Sequence, residues 1–213
     1  MQMEEDESMK LELDLDGVIL ELEIKGLARR YYLDDADDIF ELQLLWTKTD
    51  FCLHSSYIDY EMHDSEMMLV GEMLNIKNGL EALLKNEIKE DCCIAFADPD
   101  LKCYLYPARR LYSEPGKVIY RDGYEDRELF LELQVSFWCD DGLSRNKFLT
   151  KLYRKDIETL LIYLKTVTGE LSADDELVKT QMQAGTLILT KSKAAPCKDV
   201  FDKIAEFKEK EKD

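Results

Sequence analysis

The stretch from Asp64 to Tyr106 constrains the fold most, because it joins a long amphipathic segment to a turn and a strand. Apolar residues recur along its first part at spacings of four and three, which is the period of one helix face. These residues are Leu69, Met73, Ile76, Leu80 and Leu83. We therefore predict a helix over residues 64–86 that begins with a cap at Asp64 or Ser65. Strand-like segments flank this helix on both sides, so we expect it to cover a sheet.

The segment that precedes this helix is predicted to open with a β-hairpin. Apolar and charged residues alternate over residues 9–15 and 18–24, which is the pattern of strands with one buried face. Asp16-Gly17 between the two runs is a two-residue hairpin signal. Shorter alternations predict two more strands, one over Phe40, Leu42 and Leu44 and one over residues 53–62.

Turn residues divide the chain after this helix into further short strands and a second helix. Strands are predicted at residues 94–97, 101–106, 117–121, 128–139 and 147–153. A second amphipathic helix is predicted over residues 156–168, with Asp156 as its cap and Gly169 as its C-terminal stop.

These elements predict an α+β fold. Consecutive strands are joined by turns rather than by crossover helices, which favours a curved, mostly antiparallel sheet. Helices 64–86 and 156–168 would pack on one face of that sheet. Residues 1–170 form the predicted main domain, and residues 171–213 form a C-terminal appendage with a weak helix, a short strand and a terminal helix. The appendage could pack on the domain, exchange with a second copy or hold a partner, and the sequence leaves these alternatives open.

The charge balance limits the partners that the chain can bind. The sequence holds 46 acidic residues against 28 basic residues, which gives a net charge of -18. Nucleic-acid binding depends on Lys and Arg side chains that meet phosphates, so this composition argues against nucleic acid as a partner. Anionic membrane surfaces are disfavoured for the same reason, whereas a basic protein partner is attracted.

The cysteines and the N-terminus predict a cytoplasmic protein. None of the six cysteines belongs to a paired CxxC motif, and we interpret them as reduced thiols rather than as metal ligands. The opening residues MQMEEDESMK are acidic and polar, unlike a signal peptide. No apolar run approaches the ~20 residues that a membrane-spanning helix needs.

The sequence predicts no catalytic residue, metal site or cofactor. Four carboxylates lie close together at Asp34, Asp35, Asp37 and Asp38. They lack the alternating ligands, central Gly and distal Glu of an EF-hand loop, so we interpret them as a solvated acidic turn. His54 is followed by two serines and His63 by an aspartate. Neither has the GxSxG surroundings of an activated serine, and catalysis by either histidine is not predicted.

The order of elements resembles the WapI-type immunity proteins of bacterial polymorphic toxin systems over about residues 9–170. The opening hairpin, the Asp-rich segment 37–42, a helix, a long strand and a closing helix carry the resemblance. Residues 96–101, Phe-Ala-Asp-Pro-Asp-Leu, are similar to the Phe-x-Glu-Pro-x-Leu segment of that family. The chain departs from the family at Asp98, at Ile39-Phe40 in place of a Trp-Leu pair, and in the segment 171–213.

The resemblance implies a non-enzymatic protein that neutralises a basic toxin domain, often a nuclease, by direct binding. Surface charge indicates the candidate contact residues, which are Asp34, Asp35, Asp37, Asp38, Asp98 and Asp100. Two alternatives remain at this point. One is a self-associating structural or regulatory module that forms a homodimer through its C-terminal tail, and the other is a metal-assisted hydrolase that uses the aspartate cluster.

Overall fold

The computed structural model of the 213-residue chain describes residues 6–29, 36–98, 100–109, 127–139, 142–194 and 196–210. The strand predicted at residues 117–121 and the carboxylates Asp34 and Asp35 lie outside these ranges. The described helices include none that is long and apolar enough to cross a membrane.

Nine strands and five helices are present in the described residues, and they confirm the α+β class. The strands are β1 (Asp6–Leu15), β2 (Val18–Leu27), β3 (Thr47–His54), β4 (Asp59–Ser65), β5 (Cys92–Ala95), β6 (Leu101–Tyr106), β7 (Phe130–Cys139), β8 (Gly142–Tyr153) and β9 (Leu187–Ser192). The helices are α1 (Ile39–Gln43), α2 (Val70–Leu84), α3 (Arg154–Val167), α4 (Glu176–Gln183) and α5 (Cys197–Lys210).

The strands form two antiparallel sheets rather than the single curved sheet that we expected. The larger sheet has the order β4-β3-β2-β1-β9, and the smaller sheet has the order β5-β6-β7-β8. Helix α2 packs against α3 and β6, whereas α3 also packs against β1, β7 and β8. Helix α3 therefore contacts both sheets, and apolar side chains from both sheets share one core.

The predicted opening hairpin is confirmed. Asp16 and Gly17 both have positive φ, at 56° and 87°, as a type I′ turn requires. The Asp14 carboxylate accepts a hydrogen bond of 2.8 Å from the Gly17 amide, which holds the turn. Because the side-chain period of a strand is two, this turn sets which residues of β1 and β2 face the core.

Helix α2 begins at Val70, and the prediction of a start at Asp64 or Ser65 is wrong. Both residues belong to the end of β4, where Asp64 has a φ of 51° beside a shift in the β3–β4 register. The first turn of α2 is held instead by Glu72, whose carboxylate accepts a 2.8 Å hydrogen bond from the Leu69 amide. Asp64 and Ser65 thus belong to a strand end and not to a cap.

The segment around Phe40 is the short helix α1, not a strand. The Asp38 carboxylate accepts a 2.8 Å hydrogen bond from the Glu41 amide, and Glu41 accepts one of the same length from the Asp37 amide. The first of these bonds is an N-cap at Asp38, and the second satisfies the amide just before the cap, so both favour a helix start here. The Leu42 side chain of this helix is fully buried.

Residues after 170 pack on the rest of the chain. Strand β9 pairs with β1 at the edge of the larger sheet, α4 packs on β9 and α3, and α5 packs on α1 and β2. Val200 and Ile204 of α5 lie in a small apolar cluster with Leu27, Leu42 and Val70. The predicted stop of α3 is confirmed at Gly169, which has a φ of 78°.

Candidate functional site

The outer face of the larger sheet carries both histidines of the chain and a dense group of carboxylates. Inner residues such as Leu11, Leu22 and Leu53 are buried, so the alternate residues of each strand point away from the core. We call this outer surface the acidic face. Its carboxylates are Glu12, Asp14, Glu21, Glu23, Asp50, Asp59 and Glu61, and its lysines are Lys10, Lys25 and Lys48.

Three glutamates lie in one row across four strands of the acidic face. Glu12 pairs with Glu21, Glu21 pairs with Cys52, and Cys52 pairs with Glu61. Like charges that face each other across strands destabilise a sheet. Lys10 relieves part of this repulsion, since its ammonium lies 2.9 Å from the Glu21 carboxylate and 3.7 Å from that of Glu12. Lys10 therefore forms ion pairs with both carboxylates.

His54 lies at the end of β3 between two carboxylates of β4. Its Nδ1 is 2.8 Å from Oδ1 of Asp59, and its Nε2 is 3.7 Å from Oε1 of Glu61. The β3–β4 register explains the geometry, because His54 pairs directly with Asp59. The His54 side chain is 35% exposed, so one edge of the ring remains accessible to solvent.

His63 contacts the same glutamate from the other side. Its Nε2 is 3.1 Å from Oε2 of Glu61, and its Nδ1 is 3.3 Å from Oδ2 of Asp50. Hydrogen bonds to Glu61 and Asp50 raise the pKa of His63, and burial opposes this only weakly. Glu61 thus bridges the two histidines, with one carboxylate oxygen toward each.

Cys52 is an unreactive thiol at the centre of this group. Its side chain is buried, and burial together with the charges of Glu21 and Glu61 raises its pKa to about 11. The thiol is therefore protonated at neutral pH, whereas nucleophilic cysteines depend on a lowered pKa.

Two sets of side chains on the acidic face have the composition of a metal site. The potential ligand atoms of His54, Asp59 and Glu61 lie within 4.8 Å of one another, and so do those of Glu21, Cys52 and His54. Imidazole and carboxylate groups at such distances are able to bind a divalent cation or a cationic side chain.

The aspartates that the sequence predicted as contact residues lie on other elements. Asp37 and Asp38 precede α1 and are exposed, and Asp38 also caps that helix. Asp98 is half-buried in the turn between β5 and β6. Asp100 is only 3% exposed, and its carboxylate accepts a hydrogen bond from the indole N–H of Trp138.

The buried Asp100 predicts a pH-dependent stability. Burial raises the pKa of this carboxyl, and the hydrogen bond from Trp138 opposes the increase only in part. Because the pKa of Asp100 is higher in the folded state than in the unfolded state, ionisation of this carboxyl destabilises the fold. The destabilisation is absent below the unfolded-state pKa, grows as the pH rises toward the folded-state pKa, and is complete above it. Asp100→Asn should therefore gain stability over the wild type at neutral pH and lose that advantage in acid. Urea unfolding at several pH values measures this difference, and an equal difference at every pH would contradict it.

Comparisons of the chain with protein-family models, with curated proteins and with solved structures found no significant match.

Proposed function

We propose that this chain is a non-enzymatic, immunity-type binding protein, which neutralises a basic protein domain by docking it on the acidic face. The observation that supports the proposal best is the row of Glu12, Glu21 and Glu61 across adjacent strands. A partner with Lys and Arg side chains at its active site or substrate groove would fit this surface by charge. Toxin nucleases have such a groove, because they must hold phosphates.

Within the row, Glu12 and Glu21 are directly opposed like charges, and the repulsion between them supports binding of a cationic partner. Opposed like charges across a strand pair weaken a sheet by ~0.2–1 kcal/mol. A cationic partner would offset that repulsion and gain from long-range attraction, which raises association rates at low salt. The accessible groups include Asp59 and Glu61, whose side chains are 86% and 51% exposed.

The proposal places the protein in the cytoplasm. The described cysteines Cys52, Cys92, Cys93, Cys103 and Cys197 are all free thiols, which fits a reducing compartment. The alternative of self-association through the C-terminal tail is less well supported, because β9 and α5 use their apolar side chains within the same chain.

Neutralising two carboxylates of the row should weaken partner binding without unfolding the chain. We expect Glu12→Gln with Glu61→Gln to change the stability in urea by less than ~0.5 kcal/mol, because relief of the Glu12–Glu21 repulsion offsets the lost contacts of Glu61 with His54 and His63. A hexa-arginine peptide should bind this variant more weakly, by ~0.2–1 kcal/mol for each lost carboxylate. NMR titration of the ¹⁵N-labelled chain in EDTA measures both the affinity and the surface that responds.

The matched control removes two charges elsewhere. Glu176→Gln with Glu209→Gln reduces the net negative charge by the same two units, at exposed positions of α4 and α5. We expect this control to bind the peptide almost as well as the wild type, with chemical-shift changes along β1 to β4. Equal weakening in both double variants would show that the peptide responds only to total charge, and would contradict a dedicated face.

A further inference from the structure

We propose that His54, Asp59 and Glu61 form a binding site for one divalent transition-metal ion of the Zn²⁺ class. Their potential ligand atoms lie within 4.8 Å of one another. Nδ1 of His54 lies 2.8 Å from Oδ1 of Asp59, and Nε2 on the other side of the ring lies 3.7 Å from Oε1 of Glu61. A tetrahedral ion with bonds of ~2.1 Å holds its ligands ~3.4 Å apart. An ion binds only one of the two ring nitrogens, so rotation of the imidazole and of the carboxylates would bring one ligand atom from each residue to this spacing.

The backbone around this group is ordered by the β3–β4 hairpin. The Ser55 amide donates a 2.7 Å hydrogen bond to the Ile58 carbonyl, which closes the turn. The Ser55 hydroxyl oxygen accepts hydrogen bonds from the amides of Tyr57 and Ile58, at 3.1 and 3.0 Å. All three proposed ligands project from this short hairpin, so ion binding needs no rearrangement of distant parts of the chain. Sites built on strands position their ligands more precisely than sites built on loops.

His63 would position one of the ligands without binding the ion. It contacts Oε2 of Glu61 at 3.1 Å, whereas Oε1 of the same carboxylate faces His54. Partners of this kind orient ligating carboxylates in many metal sites. Cys52 lies on the other side of His54 and is only 6% exposed, so we assign the ion to the more accessible oxygen ligands of β4.

The ligand set selects the class of ion. One imidazole with two carboxylates suits Zn²⁺ and its transition-metal neighbours, whereas Mg²⁺ and Ca²⁺ prefer sites made of oxygen alone. The two carboxylates would neutralise the charge of the ion. Three protein ligands leave the fourth tetrahedral position to water.

Calorimetric titration of the full-length, EDTA-treated chain with ZnCl₂ tests this site. We expect one Zn²⁺ per chain and no competition from excess Mg²⁺. His54→Ala and Glu61→Gln should each weaken binding by at least ~10-fold, and the positioning variant His63→Ala should weaken it by less. The matched control is Glu12→Gln, which removes the same charge from the same face and should leave Zn²⁺ affinity unchanged within ~2-fold.

The outcomes that would overturn the proposal are specific. One is no Zn²⁺ binding by the wild type. Another is weak binding of several ions per chain that Glu12→Gln reduces as much as Glu61→Gln does, because this would indicate diffuse attraction to the acidic face. Full affinity in His54→Ala would also overturn it. Urea unfolding of each variant without metal verifies that the fold is intact, which the surface position of these side chains predicts.

Discussion

Removal of residues 171–213 is expected to abolish folding of the remaining chain. The deleted segment contributes five core side chains that are each at most 3% exposed, namely Val178, Leu187, Cys197, Val200 and Ile204. Burial of one large apolar side chain stabilises a protein by ~1.5–3 kcal/mol. Together these five contribute about as much as the whole ~5–15 kcal/mol stability of a typical domain. The deletion also leaves β1 as an unpaired edge strand, which favours aggregation.

Circular dichroism, urea unfolding and size-exclusion chromatography of the truncated chain measure this effect. Two single substitutions in the full-length chain serve as comparisons for the truncation. Ile204→Ala in the full-length chain should remain folded and lose ~2–5 kcal/mol, whereas Lys208→Ala at an exposed position should change stability by less than ~0.5 kcal/mol. A truncated chain that is monomeric and unfolds cooperatively would show that the segment is a separable appendage.

Replacement of Tyr163 is expected to give the largest loss of stability among single polar contacts. Its hydroxyl oxygen accepts a 2.7 Å hydrogen bond from the Ile24 amide, and the side chain is fully buried. The β1–β2 ladder ends one residue earlier, at the pair Lys10–Glu23. Burial raises the pKa of Tyr163, so the hydroxyl stays neutral. Tyr163→Phe should cost ~1–3 kcal/mol, because it leaves a buried amide without an acceptor.

The comparison with a larger deletion separates the hydrogen bond from the packing of the ring. Tyr163→Ala should cost ~3–5 kcal/mol, which is typical when a buried aromatic ring is removed. Tyr153→Phe, at a tyrosine that is 52% exposed, should be neutral within ~0.5 kcal/mol. If Tyr163→Phe were equally neutral in urea unfolding, the account of the Ile24 amide would be wrong.

Local patterns in the sequence are sufficient to place part of the acidic face, although we predicted the contact residues elsewhere. The alternation in residues 9–24 and the Asp16-Gly17 turn are enough to place Glu12 opposite Glu21, because a two-residue turn fixes the register. The signal for α1 was also present, since Asp38 and Glu41 have the spacing of a capping box. An alternation over the five residues 40–44 suggested a strand instead, and so short a run does not distinguish a strand from a helix.

The close approach of His54 and His63 to Glu61 could not be predicted in the same way. We interpreted residues 53–62 as one strand, which would hold His54 and His63 far apart. In the structure the chain reverses at Ser55 through Ile58, a segment with no Gly, Pro, Asn or Asp to mark a turn. The turn depends on hydrogen bonds to the Ser55 hydroxyl. Ser hydroxyls stabilise turns only weakly, so the signal in the sequence is faint.

The C-terminal segment illustrates a second limit. The apolar residues Leu187, Ile188 and Leu189 suggest a strand, but nothing local shows that this strand pairs with β1, more than 170 residues earlier in the chain. Such pairing depends on which sheet edge is left open by the other elements. The edge of the larger sheet beside β1 is therefore formed by β9, and only the complete fold shows this.

Comparative affinity capture tests the central claim most directly, namely that a basic protein docks on the acidic face. Lysate of the native host would be passed in EDTA over three immobilised chains: the wild type, Glu12→Gln with Glu61→Gln, and the control Glu176→Gln with Glu209→Gln. The account predicts a basic protein that the wild type and the control retain, that high salt elutes, and that the acidic-face variant loses. A partner that the acidic-face variant retains as well as the wild type, or that both double variants lose equally, would contradict it.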